Sequence, residues 1–159
     1  MSQLSVHSPI GDLTISEEDG KIISLDWGWS PLQEKNEILL KTKVLLDQYF
    51  DDEKPTFDLP LEPHGTEFQK EVWKIMCEIP YGKILTYGEI SDRLNSHARA
   101  VGMACGANPI PIIIPCHRVI GKNRKLTGFS GGEGIETKRY LLELEDTFDN
   151  LDDNLKLPF

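Results

Sequence analysis

No run of apolar residues in this 159-residue chain approaches the length needed to cross a membrane, and the N-terminus carries no secretory apolar core. Cysteine is scarce. The three present, Cys77, Cys105 and Cys116, are odd in number and show no Cys-x-x-Cys spacing. That argues against a disulfide scaffold and against a structural zinc site, and reads as a reduced, cytoplasmic protein. Positive charge is also short: 17 Lys and Arg stand against 26 Asp and Glu, a net charge of −9. At first sight this argues against a nucleic-acid binder. No internal repeat or low-complexity tract is visible.

The charge is unevenly spread. Residues 1–66 carry a net −8, residues 67–143 a net +3 and residues 144–159 a net −4. A basic excess survives in the middle segment, where a phosphate backbone would meet the fewest acids; a modest salt dependence follows from so small an excess. Hydrophobic residues make up 39% of the chain, enough for a core in one domain or two small ones.

Ser5-Val6-His7, Asp12-Leu13-Thr14-Ile15 and residues 22–27 alternate as short strands, with turns at Pro9-Ile10-Gly11 and Glu18-Asp19-Gly20. Residues 36–50 read as a helix that packs through Ile38, Leu45, Leu46, Tyr49 and Phe50. A Pro-spaced linker, residues 59–65, follows. We expect an N-terminal support domain over 1–63, a second domain over 64–150 and an acidic tail over 151–159.

The second domain opens with a capping-box pattern, Thr66 and Gln69, and repeats it at Thr86 and Glu89. A further helix is expected from Ser96 to Ala104. The two short helices form a helix-turn-helix, residues 119–126 a wing hairpin, and Ile135, Lys138, Leu141, Leu142 and Glu145 lie on a last helix.

The run 108–114 reads as a buried strand that delivers Pro115-Cys116-His117-Arg118 at its exit. A thiol is a few per cent thiolate at neutral pH, and a neighbouring imidazole can take its proton. On these residues alone Cys116 reads equally well as a small core residue, His117 as a structural hydrogen-bonder and Tyr87 as a core tyrosine. Glu145 lies on the buried face at the C-terminal end of its helix, where the macrodipole disfavours an anion, so it needs a partner.

Six ordered blocks then bear on the choice: Gly65-Thr66-Glu67-Phe68-Gln69, Ile79-Pro80-Tyr81-Gly82, Arg99-Ala100-Val101-Gly102, Asn108-Pro109 with Pro115-Cys116-His117-Arg118-Val119-Ile120, Gly128-Phe129-Ser130-Gly131-Gly132, and residues 141–145. Together they closely resemble the O6-alkylguanine-DNA alkyltransferases. The resemblance implies an α+β protein, with a small ribonuclease H-like N-terminal α/β domain on a three-stranded antiparallel sheet and a winged helix-turn-helix C-terminal domain. It implies a methylated-DNA–protein-cysteine methyltransferase: single-turnover, irreversible transfer of an alkyl group from guanine O6, or thymine O4, to Cys116. The partner is double-stranded DNA, the protein a monomer, with no metal and no cofactor.

Site roles follow residue by residue from the same resemblance. Glu145, His117 and a water form a relay to Cys116. Tyr87 donates to the departing guanine, and Asn108 ties the recognition helix to the Cys116 strand. The main-chain carbonyls of Cys116 and Val119 take the exocyclic amine, with Ser130 and Phe129 at the base. Arg99 fills the stack after nucleotide flipping, and Ala98, Ala100, Gly102, Tyr87 and Arg118 meet the DNA. Where the family carries Gly-x-Pro between the two helices, this chain has the shorter Leu94-Asn95-Ser96-His97. A lesion sensor without repair activity is disfavoured by Cys116 itself, and a thiol hydrolase by the lack of any sign of an oxyanion hole.

Overall fold

Alternation of apolar and polar residues builds the first sheet. In a computed structural model of the chain, which describes residues 1–122, 126, 129 and 131–147, β1 (Ser2–Val6), β2 (Leu13–Glu18) and β3 (Lys21–Trp27) pair antiparallel in chain order. Leu4 faces Ile15 and Ile15 faces Leu25, so the apolar set falls on one side. The helix α1 (Glu37–Phe50), capped by the Asn36 side chain accepting from Leu39 N, lies against all three strands. Its buried residues are Leu39, Thr42, Leu46 and Tyr49; Ile38, Leu45 and Phe50 are only half-buried. The expected stripe is thus rotated by part of a turn, because Thr42 serves the core after satisfying its hydroxyl on the Ile38 carbonyl at 2.7 Å. The segment read as a linker does more than connect: Ile22 N donates to Pro60 O and Glu62 N to Ile22 O, which sets Leu61 parallel beside β3.

The chain divides into two compact units, Met1–His64 and Gly65–Phe159. The second begins with α2 (Glu67–Cys77), started by Thr66 and Gln69 through a complete capping box. Its buried side is Val72, Trp73 and Met76, and Trp73 Nε1 donates to Ala104 O at 2.8 Å. That bond ties α2 to α4 (Ala98–Gly106). The second capping box, Thr86 with Glu89, starts α3 (Tyr87–Arg93), which packs on α4. The shortened turn between them closes with Asn95 in the left-handed region (φ 51°) and Ser96 N bonded to Ser91 O. His97 then caps α4, its Nδ1 accepting from Ala100 N, so the helix starts two residues later than expected and runs on to Gly106.

The expected buried strand before Cys116 is absent. Ile110, Ile112, Ile113 and Ile114 are buried, yet the segment folds into a tight turn with Ile114 N bonded to Ile110 O and Ile112 at φ 74°. Pro109, Pro111 and Pro115 supply no N–H groups, so a ladder has too few donors. After a 3-10 turn, Cys116–Arg118, β5 (Val119–Ile120) pairs parallel with β4 (Leu85–Thr86). Of the rest of the expected wing, residues 123–125 lie outside those described. The last helix is α5 (Ile135–Leu144). No described helix is long and apolar enough to cross a membrane.

Gly65 shows how tightly α2 is seated. A Cβ there would overlap the buried Trp73 ring, which its hydrogen bond to Ala104 keeps in place. Gly65→Ala should therefore cost about 1–3 kcal/mol of stability through overpacking. Urea unfolding monitored by tryptophan fluorescence measures this, and an unchanged midpoint would contradict it.

Candidate active site

The thiol of Cys116 is buried at the start of the 3-10 turn, its backbone N bonded to Ile114 O at 2.8 Å. Burial pushes its pKa up, while a hydrogen bond from the Asn108 side chain and the charge of Lys138 act in the opposite sense. Asn108 also donates from Nδ2 to Ile114 O at 2.8 Å and accepts at Oδ1 from Ile110 N at 2.9 Å. One amide thus clamps the isoleucine turn and touches the thiol.

His117 and Glu145, 28 positions apart, are both fully buried and meet at 2.6 Å between Nε2 and Oε2. Glu145 caps the end of α5. Burial opposes its charge, but His117 and then the Arg118 guanidinium outweigh that and hold the carboxyl well below its usual range. Burial keeps the His117 imidazole neutral, with its pKa lowered despite the pull of Glu145. A carboxylate at Nε2 makes that nitrogen the donor, which leaves Nδ1 as the basic site. Nδ1 has no hydrogen-bond partner among the described residues, the Cys116 thiol included.

The sequence reading places Arg118 among the DNA contacts; the structure gives it another task. Nε and Nη2 donate to the two Glu145 oxygens at 2.7 and 3.1 Å, and Nη1 donates to Ile79 O at 2.7 Å. Its guanidinium also lies 5.6 Å from the Tyr81 ring centroid. A fork spent on a buried carboxylate is not available to phosphate.

Lys138 is the residue whose site role the sequence reading did not assign. It lies on α5, fully buried, and Nζ donates to Val119 O at 2.6 Å and reaches Tyr87 Oη at 3.4 Å. Burial lowers its pKa to about 8, with Cys116 and Cys105 pulling the other way. The signal was its place between Ile135 and Leu141 on a helix whose inner face is apolar. The carbonyls of Val119 and Cys116, read as receivers of an exocyclic amine, already accept from Lys138 Nζ and from Val119 N. Tyr87, half-buried, opens α3. Arg99 and Ala98 are exposed on α4, Ala100 and Gly102 half-buried. Phe129 is half-buried, and Ser130 lies outside the described residues.

The buried pair ties stability to pH. His117, kept neutral, and Glu145, kept charged, both hold fewer protons folded than unfolded. Stability is therefore complete above about pH 6.5 and falls with acid, first from His117's ordinary value of 6.5 and then from the carboxyl's at 4.5. Urea midpoints should drop between pH 7 and 5 in the wild type and stay nearly level over that range in His117→Gln. A level wild-type curve would contradict the assignment.

Known proteins resemble this chain over almost its whole length. Residues 67–147 match the family model for the 6-O-methylguanine DNA methyltransferase DNA binding domain, and residues 4–63 the model for the ribonuclease-like domain of the same family. A methylated-DNA–protein-cysteine methyltransferase of Haemophilus influenzae is 43% identical over 149 residues, covering 87% of this chain and 82% of that protein. The constitutive enzyme of that name in Bacillus subtilis is 40% identical over 154 residues, covering 89% of this chain and 93% of that one. The crystal structure of Mycobacterium tuberculosis OGT in complex with DNA superposes with a TM-score of 0.83 at 40% identity, covering 98% of both chains. The chain belongs to the 6-O-methylguanine DNA methyltransferase family.

Proposed function

We propose that this protein repairs DNA directly, taking an alkyl group from O6 of guanine in duplex DNA onto Sγ of Cys116, once per molecule. The observation that carries the reading is the buried His117, held at Nε2 by Glu145 and left with a basic Nδ1, next in sequence to a buried thiol. Sulfur forms a bond to the alkyl carbon as the carbon–O6 bond breaks, and the electron pair goes to the guanine ring system. The thiol proton passes through a bridging water to His117 Nδ1. Tyr87 supplies a proton to a ring nitrogen of the leaving guanine, and the proton taken up by His117 returns through solvent to the Tyr87 phenolate, so that both side chains end in their starting forms. The product is a thioether with no leaving group to displace, so the reaction stops after one turnover.

Lys138 supports two parts of this step. Its charge favours the thiolate, and its bond to Val119 O fixes the strand that follows the nucleophile. Arg99, Ala98, Ala100 and Gly102 present α4 to the duplex; Arg99 occupies the place of the extruded nucleotide, since chemistry on a base requires it to leave the stack. A nucleophile used once and not regenerated fits a reducing, cytoplasmic setting, where oxidation does not consume it.

Two measurements test the reading. Intact mass after incubation with O6-methylguanine duplex should show a single added methyl, located on the Cys116 peptide, and Cys116→Ala should show none while still binding DNA. Transfer by the alanine variant would refute the assignment. Lys138→Met keeps the stem volume and removes the charge. It should slow transfer near neutral pH and displace the single-turnover rate–pH profile upward, because the thiolate loses its cation. In the wild type, Lys138 loses its own charge above about pH 8. A profile unchanged by the substitution would remove Lys138 from thiol activation.

A further inference from the structure

One exposed side chain on α4 has no part in the chemistry above. Met103 is 70% exposed, while the buried residues of the helix are Val101, Ala104 and Cys105. It therefore has no packing task within its own unit. Arg99, Gly102, Met103 and Gly106 recur at spacings of three, four and seven and share the outer face of the helix. The two glycines are not demanded by that unit's packing, for a Cβ at either would meet no atom within 4 Å. Glycine weakens a helix, so their place on this face suits close approach by something outside.

We propose that Met103 is an apolar DNA contact that works beside Arg99, its thioether chain lying in the minor groove next to the extruded nucleotide and holding the opened step. The inference rests on the alkyl-transfer reading of the protein. The occupant follows from what the face offers. It has one cation, no cluster of donors for phosphate, flat ground at two glycines and one long flexible apolar side chain. Close approach with an apolar wedge is how minor-groove proteins unstack a base step. The face also belongs to the second helix of the helix-turn-helix, in the segment that matches the DNA binding domain model. Methionine suits the task because its unbranched chain adapts to the irregular wall of an opened groove.

The test is the ratio of the rate on O6-methylguanine duplex to the rate on free O6-benzylguanine, which requires no extrusion. Met103→Ala, which favours the helix, and Met103→Gln, which keeps the length but not the apolar character, should each lower that ratio about three- to tenfold, or about 0.7–1.4 kcal/mol. The slope of duplex affinity against salt should stay at the wild-type value, because no phosphate contact is lost. A ratio within twofold of the wild type, equal losses on both substrates, or a salt slope that falls in the Met103 variants would overturn the proposal. A wild type that transfers nothing to Cys116 from either substrate overturns the alkyl-transfer reading itself, whereas transfer with an unchanged Met103→Ala ratio overturns Met103 alone.

Discussion

A single buried carboxylate organises the catalytic unit. Glu145 sits at the C-terminal end of α5, where the helix dipole opposes a negative charge, and it is withdrawn from water as well. It tolerates both because His117 and Arg118 donate to it, with Gly82 N behind them at 3.4 Å. Arg118 carries the connection on to the Ile79 carbonyl, and Tyr81 Oη donates to Leu144 O. The end of α5, the loop after α2 and the turn bearing Cys116 therefore converge on one anion. Removing one member of such a buried set leaves another charge uncompensated, which costs far more than a surface pair would. Orientation of His117 and integrity of the fold are, at this point, the same interaction.

The thiol is correspondingly quiet at rest. Burial raises Cys116, as it raises Cys105, whose thiol is pushed up to about 12. What separates the two cysteines is the company each keeps. Cys105 packs against the Met76 sulfur at 3.6 Å, whereas Cys116 has the Asn108 amide and stands beside the base in sequence. Lys138 acts electrostatically on both. A reagent consumed in use gains from being protonated until its substrate arrives, and a neutral imidazole with a free lone pair allows the proton to leave at that moment. An exposed thiolate would react faster and be oxidised sooner.

How much of this was legible in the sequence depended on the range of the interaction. The two capping boxes are local, and they placed the starts of α2 and α3 to the residue. The run 108–114 reads as a strand because its isoleucines do not belong in a surface loop, but Pro109, Pro111 and Pro115 deny it a ladder. Arg118 is grouped with the DNA contacts by resemblance alone, and nothing local reveals that a carboxylate 27 positions on takes both arms of its fork. Lys138 was counted on the inner face of α5, but a lysine there gives no sign of its acceptor until the fold brings Val119 to it. The His117–Glu145 pair was accessible because a carboxylate on an apolar helix face raises the question of its partner, and resemblance named one.

Asn108 joins these parts to α4. It follows Ala107, the C-cap of α4, so it stands where that helix ends. From there it bonds Ile110 N and Ile114 O across the turn, and its side chain reaches the thiol. The proline-rich turn, with Ile112 in a backbone conformation that branched residues rarely adopt, is short and has little freedom of its own. The thiol is therefore carried on a stiff link from α4, not on a mobile loop. The distance from α4 to the sulfur is set by the Asn108 clamp and the isoleucine turn.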